Sequence, residues 1–307
     1  MRRINFSLFL VVMACLSSAL TYADARSKDF SALKLASVSA VAMDASSGEM
    51  LFERNPAIVM PIASLTKLMT AMVVLDAKQS LKEDIRFSSE DRKAINNYFS
   101  RIRMGSEISR GETIHLALMS SENLAAAALA RNYPGGTPAF VSAMNAKAAA
   151  LGMKNTHFVD SSGLSPKNVS TAADMALLVG AAARYPAIRR YSTTPTHTAN
   201  FSRPGYRLAY VNTNTLVRFE RWDAEVSKTG YLDEAGRCLV MKTTINGKPV
   251  VLVMLDSFGK RSPVGDAGRL KAWLETGQTG SVASSALAYQ QAKTKAYLSR
   301  QVATSQR

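Results

Sequence analysis

Cysteine is nearly missing from this chain: there are two among 307 residues, Cys15 and Cys238. Cys15 falls in an N-terminal stretch that reads as a removable leader, which leaves Cys238 alone. One thiol closes no internal disulfide, so the fold must stand on its core. Inside the apolar run Cys238-Leu-Val-Met it is read as a small core residue rather than a nucleophile. Histidine is scarce too. His115, His157 and His197 are scattered, with no H-E-x-x-H and no Cys/His spacing, so the expectation is no metal and ordinary structural or surface roles. No G-x-G-x-x-G and no P-loop occur, so no cofactor is expected. Acidic residues are outnumbered, 23 to 38, giving a net charge of +15.

What is present begins with Arg2 and Arg3, the apolar run INFSLFLVVMACLSSAL, and the small residues of TYADA. Basic, apolar and small-residue segments in that order make a secretory signal peptide, cleaved after Ala25. The alternative is a membrane anchor, but the apolar part is short for a bilayer and no charged stop follows it. Met13 makes a poor lipobox partner for Cys15. Residues 26–307 keep a charge of +14. An exported basic protein favours a polyanion, and export turns that expectation from nucleic acid to loose association with the cell wall or a membrane surface. A merely soluble basic surface is the alternative.

At 47% apolar and 20% charged, the chain can bury one large core or two modest ones. Residues 38–52 alternate around a turn at Ser46-Ser47-Gly48, a β-hairpin. From Ser64, apolar residues at Leu65, Leu68, Met69, Met72 and Leu75 predict an amphipathic helix. Further helices are expected around 113–131, from a Thr137 cap with Pro138 to Gly152, over 171–183 from a Thr171–Asp174 capping box, and over 264–275. Strands are expected at 207–212, 226–232, 237–245 and 249–256, with Asn246-Gly247 as a hairpin turn. Strands at both ends and helices between them give a mixed α+β fold: a five-stranded antiparallel sheet flanked by helices, with an all-helical subregion. Residues 26–276 form the expected catalytic domain. The tail, 277–307, reads as polar and basic, disordered or partly helical.

S-x-x-K occurs three times, at Ser31, Ser64 and Ser257. Only Ser64-x-x-Lys67 opens a helical pattern, where i and i+3 share a face and the helix N-terminus adds positive potential. A serine hydroxyl is a weak nucleophile, and lysine serves as its base only when its pKa falls well below about 10.4. Desolvation or a second cation would lower it. The chain holds one S-x-N, Ser121-Glu122-Asn123, and one K-T-G, Lys228-Thr229-Gly230, on a predicted strand. Ser121 can relay a proton, Asn123 can bind an amide, and Lys228 supplies the second cation. Thr229 offers a hydroxyl to a carboxylate, and Gly230 leaves room for a peptide along the strand. A helix cap at Ser121 and a solvated lysine at Lys228 are the structural alternatives.

At these residues the chain resembles the penicillin-recognising serine transpeptidases of the β-lactamase/transpeptidase-like fold, over roughly residues 38–276. It is most similar to their D-alanyl-D-alanine peptidases, as in PIASLTKLMTAMVVLD and DSSGLSPKNVSTAADMA. The resemblance implies a Ser64 acyl-enzyme with Lys67 as base and Ser121 as proton shuttle. Asn123, Lys228, Thr229 and Gly230 would hold the substrate, and the backbone N–H groups of Ser64 and Tyr231 would form the oxyanion hole. The implied partners are peptidoglycan stem peptides, with β-lactams as covalent inhibitors, and the implied location is the periplasm. Glu122 stands where the family usually has glycine, and Tyr231 where histidine is frequent. Three activities stay open: endopeptidase on D-alanyl cross-links, carboxypeptidase on terminal D-alanine, and β-lactamase. The last is disfavoured because no E-x-x-L-N segment occurs. The chain stops soon after the catalytic unit, whereas anchored carboxypeptidases of the family continue into a β-rich domain, so the endopeptidase is favoured. Arg261 is read as a surface residue that can reach a substrate carboxylate.

Overall fold

The computed structural model describes residues 33–305, Asn97 excepted. The leader 1–25 and Ser31 lie outside the described residues. The expected hairpin is β1 (Ser37–Asp44) and β2 (Met50–Arg54). The short β3 (Met60–Pro61) then leads through a 3₁₀ turn, Ala63–Leu65, into α1 (Thr66–Asp76). β4 (Asp84–Arg86), α2 (Ser89–Ala94) and β5 (Glu107–Ser109) precede the helical middle. That middle holds α3 (Arg110–Met119), α4 (Asn123–Arg131) and α5 (Gly136–Ala150). After β6 (Val169–Ser170), which pairs with β3, come α6 (Ala172–Ala182) and α7 (Pro186–Ser192). A separate hairpin, β7 (Thr196–Phe201) with β8 (Tyr206–Val211), is followed by α8 (Thr215–Arg218). The chain then makes β9 (Ala224–Leu232), β10 (Gly236–Ile245), β11 (Lys248–Ser257), α9 (Ser262–Thr276) and α10 (Ser284–Ser305).

Five strands form one antiparallel sheet in the order β2-β1-β11-β10-β9, so the N-terminal hairpin closes the C-terminal one. Asn246 and Gly247, both at positive φ, turn β10 into β11, the backbone that an Asn-Gly pair favours. Alternate residues serve two cores. Val251, Val253 and Leu255 face the helical middle, whereas Val250, Leu252 and Met254 face α9, where Leu270 and Trp273 cover them. A sheet covered on both faces buries every residue of β1.

Three expectations are corrected. The helix from Ser64 is not amphipathic: Thr66 to Val74 are all buried, because α1 runs through the middle of the helical layer with neighbours on every side. The cap of α5 is Gly135 at φ +83 rather than Thr137, so the helix starts two residues earlier than Pro138's first-position preference suggested. The tail takes the helical one of its two readings rather than the disordered one: 284–305 form a 22-residue helix. Tyr289 and Tyr297 on α10 donate hydrogen bonds to the two carboxylate oxygens of Asp256, 2.6 and 2.9 Å away, and Lys293 stands 3.6 Å from the same group.

Candidate active site

The serine sits on a strained turn. Ala63, just before Ser64, holds φ +48, a conformation that a residue with a Cβ adopts at a cost. The surroundings impose it. The Thr66 hydroxyl donates to the Ala63 carbonyl at 2.8 Å, and the Asn168 amide donates in turn to Thr66 Oγ1 at 3.1 Å. Ile62 N–H donates to the Asn168 carbonyl at 3.1 Å, so one asparagine grips both sides of the turn. Behind it lies Gly163, at φ +80; a Cβ there would fall 2.0 Å from the Ala63 carbonyl oxygen. In front lies Gly230 of β9, where a Cβ would come within 3.3 Å of the Ser64 nitrogen. Glycine therefore lets the K-T-G strand lie against the serine turn.

One turn into the helix, Lys67 is wholly buried. Its Nζ hydrogen-bonds Ser64 Oγ at 2.8 Å, Asn123 Oδ1 at 2.7 Å and the Ser162 carbonyl at 2.6 Å. Burial depresses its pKa to about 7, against the weaker opposing pull of Asp160 and Glu122. The second cation expected to do this work is not the main cause; desolvation is. Lys228 is buried as well, and its pKa is pushed well down by burial first and by Lys67 second. Its Nζ donates to Ser121 Oγ at 2.8 Å and to the Thr229 carbonyl at 2.7 Å. Ser121 lies in the break between α3 and α4 with φ +60, a second left-handed residue at the site. Thus the three motifs converge: Ser64, Lys67 and Asn123 in one hydrogen-bonded group, Ser121, Lys228 and Thr229 in the next.

These groups open on a cleft of about 890 Å³ lined by Ser64, Ser121, Asn123, Thr229, Gly230 and Tyr231. Arg218, Arg237, Lys260 and Arg261 also line it, so Arg261 is a wall residue rather than a remote one. Tyr231 takes the place of histidine with its ring 4.1 Å beneath the Arg237 guanidinium and its hydroxyl donating to Asp233 at 2.6 Å. Glu122 caps α4 through the Leu124 N–H at 3.2 Å, and burial raises its pKa. Cys238 is buried across the ladder from Gly230, its thiol pushed up to about 12, which makes it inert.

The family model described as D-alanyl-D-alanine carboxypeptidase, peptidase S11, matches residues 26–259. The chain belongs to that family. This S11 serine peptidase is 54% identical over 256 residues to a D-alanyl-D-alanine endopeptidase of Pseudomonas aeruginosa, covering 83% of each chain. It is 49% identical over 260 residues to the D-alanyl-D-alanine endopeptidase of Escherichia coli K12, covering 85% of this chain and 84% of that one. Among solved structures it resembles the Streptomyces K15 DD-transpeptidase with a TM-score of 0.72 and 27% identity, over 76% of this chain and 95% of that one. It also resembles the ampicillin-bound penicillin-binding protein D2 of Listeria monocytogenes, with a TM-score of 0.66 and 31% identity over 78% and 96%.

Sequence reading missed the loop that makes this S11 site work as a unit. Asp160 accepts from the N–H groups of Ser162, Gly163 and Ser165 at 2.7, 2.6 and 2.8 Å. Those bonds aim the Ser162 carbonyl at Lys67 and the Ser161 carbonyl at Thr70. Its run of Asp, Ser, Gly, Pro and Asn announces a turn, but nothing local says which buried lysine it serves. The histidines are corrected too. His115 and His197 are not scattered, for their rings lie 4.4 Å apart beside Glu112.

Proposed function

We propose that the protein is an exported serine DD-endopeptidase that hydrolyses D-alanyl cross-links between peptidoglycan stems. The observation that carries the chemistry is Lys67 Nζ, buried, 2.8 Å from Ser64 Oγ and depressed to about 7. A lysine in that state is neutral for much of the time near neutrality and accepts the serine proton. Ser64 Oγ attacks the D-alanine carbonyl of the scissile amide, and the proton passes to Lys67 Nζ. The oxyanion forms beside the backbone N–H groups of Ser64 and Tyr231. Collapse breaks the C–N bond; Ser121, held by Lys228, delivers a proton to the departing amine and is reprotonated by way of the lysines. Water, deprotonated in the same way, cleaves the ester and returns the proton to Ser64. Asn123 and Thr229 orient the peptide.

The cationic wall formed by Arg218, Arg237, Lys260 and Arg261 suits a leaving residue that carries a free carboxylate. Terminal D-alanine has one, and so does the cross-linked diaminopimelate centre, so the wall does not separate the two reactions. What favours the endopeptidase is identity, 54% and 49%, to relatives that bear that name. β-Lactams would acylate Ser64 by the same attack. The leader at residues 1–25 supports export to the periplasm, and the charge of +14 on residues 26–307 supports loose association with anionic wall or membrane.

The test is a muropeptide digest by the purified protein and by Ser64→Ala. Cross-linked dimers and uncross-linked pentapeptides are supplied separately, and the products are weighed by mass spectrometry. Dimers split while terminal D-alanine survives is the expected result. Pentapeptides trimmed while dimers persist would make the enzyme a carboxypeptidase.

A further inference from the structure

Behind the cleft, at the start of α3, three side chains that the peptidase chemistry does not use converge. Glu112 and His115 stand three residues apart on one helix face, and β7 brings His197 against them. Glu112 Oε2 lies 2.6 Å from His197 Nε2, and Glu112 Oε1 lies 3.9 Å from His115 Nδ1. One donor atom from each residue falls within 4.8 Å of the other two. His115 is 5% exposed, stacked on the Tyr191 ring at 4.7 Å and tilted by 35° against the His197 ring at 4.4 Å. Its Nε2 is buried with no hydrogen-bond partner among the described residues. A buried imidazole nitrogen left unpaired is costly for a structure to keep without a ligand or a compensating group.

We propose that Glu112, His115 and His197 form a binding site for a divalent transition-metal ion, with zinc the ion their donors suit best. Two imidazoles and one carboxylate are a borderline donor set that prefers zinc over calcium or magnesium, and three protein ligands leave a fourth position to water. Entry is open from solvent: Glu112 and His197 keep side-chain exposures of 34% and 26%, while the buried His115 forms the floor. Binding replaces the Glu112–His197 hydrogen bond by two metal bonds and expels any proton they share.

The site has a structural consequence for the cleft. α3 ends just before Ser121, and the β7–β8 hairpin runs on to Thr213. Thr213 N–H bonds the Met119 carbonyl at 3.0 Å, and its hydroxyl accepts from Thr229 at 2.7 Å. An ion shared by α3 and β7 clamps these two supports of the site at their far end. It touches neither the serine nor its base, so its role is to fix position.

The test uses the full chain without an affinity tag, stripped with chelator and dialysed against micromolar zinc, then analysed for metal. Cobalt(II) serves as a spectroscopic probe of the ligand set. The expected result is one zinc per chain, a tetrahedral cobalt absorption band, and a thermal midpoint that rises with zinc. His197→Gln should weaken zinc binding by more than the roughly 10–100-fold that loss of a supporting hydrogen-bond partner costs a metal site. It should also abolish the midpoint shift while penicillin still acylates the metal-free variant. His197 is the position to change, because it is partly exposed and the fold survives its loss more readily than that of His115; Glu112→Gln is the second variant. Absence of stoichiometric zinc in the wild type would overturn the proposal and leave a hydrogen-bonded brace. Zinc retained undiminished in both variants would overturn it as well, since the ion would then sit elsewhere.

Discussion

Among the places where this molecule buries charge, two do so in opposite ways. At the cleft, Lys67 and Lys228 are buried with no salt-bridge partner among the described residues, held by hydroxyl, amide and carbonyl oxygens. Against α10, Asp256 is buried too, but two tyrosine hydroxyls and the Lys293 ammonium answer it. Polar dipoles alone do not repay the desolvation of an ammonium, so the lysines shed protons and become bases. The Asp256 carboxylate is raised by burial as well, but its donors oppose that shift and fasten α10. Buried charge left short of compensation makes chemistry, and buried charge met by donors makes a joint.

That contrast breaks if cleft and α10 variants fail in the same way. Ser64→Ala should remove both the single penicillin adduct in the intact mass and all splitting of dimers. Lys67→Met should lower kcat/KM by about 10²–10⁴, the usual worth of a positioned base. Yet it should leave the thermal midpoint unchanged or higher at neutral pH, because a buried unpaired ammonium has been replaced by an apolar chain of similar length. The same lysine sets the pH dependence. As a base it must be deprotonated, so wild-type kcat/KM should rise tenfold per pH unit in acid and level off above about 7. The unfolded chain, with Lys67 near 10.4, binds more protons than the folded one above pH 7. Stability from this residue therefore grows as pH rises from about 7 towards 10, a slope that Lys67→Met should erase.

Gly163→Ala puts a methyl group against the Ala63 carbonyl at positive φ and should cost about 3 kcal/mol in denaturant unfolding, with acylation lost in proportion as the serine turn shifts. Tyr297→Phe, on α10, should cost about 2 kcal/mol, the worth of a buried hydrogen bond to a charged acceptor, without altering the acylation rate. The smallest expected effect sharpens the comparison. Glu122→Gln removes a charge that lifts the Lys67 pKa, so the acid limb of the rate profile should move down by less than about one unit. A limb that stays in place would mean that Glu122 acts chiefly as the α4 cap.

The strands were legible because β10 and β11 carry apolar runs, Cys238 to Met241 and Val250 to Leu255, joined by an Asn-Gly turn, and Ser64-x-x-Lys67, Ser121-x-Asn123 and Lys228-Thr229-Gly230 each kept their spacing. What escaped notice depends on contacts far apart in the chain. Lys67 meets the Ser162 carbonyl across 95 positions and Asn123 across 56, distances at which no local pattern speaks. β7 was not read because Thr196-His-Thr-Ala-Asn-Phe201 is half polar and leans on β8 and β5 rather than on the main sheet. α10 was read only as a partly helical alternative to disorder because its sequence carries little apolar surface; two tyrosine hydroxyls on Asp256 help to dock it. α1 was read with the wrong face, since spacing shows which residues are apolar but not that neighbours surround the helix.

Cys238 makes the fold report on itself. It is the only cysteine among the described residues, sealed beneath the ladder and paired with Gly230, the glycine at which the peptide-binding strand meets the serine turn. A thiol reagent in water reaches this sulfur when a covering element, β9 or α10, lifts away or the whole domain opens. The rate at which the native enzyme takes up such a label therefore times the opening of the walls around its substrate strand, with no engineered probe. Slowing of that rate by bound β-lactam would measure how firmly a ligand shuts the strand.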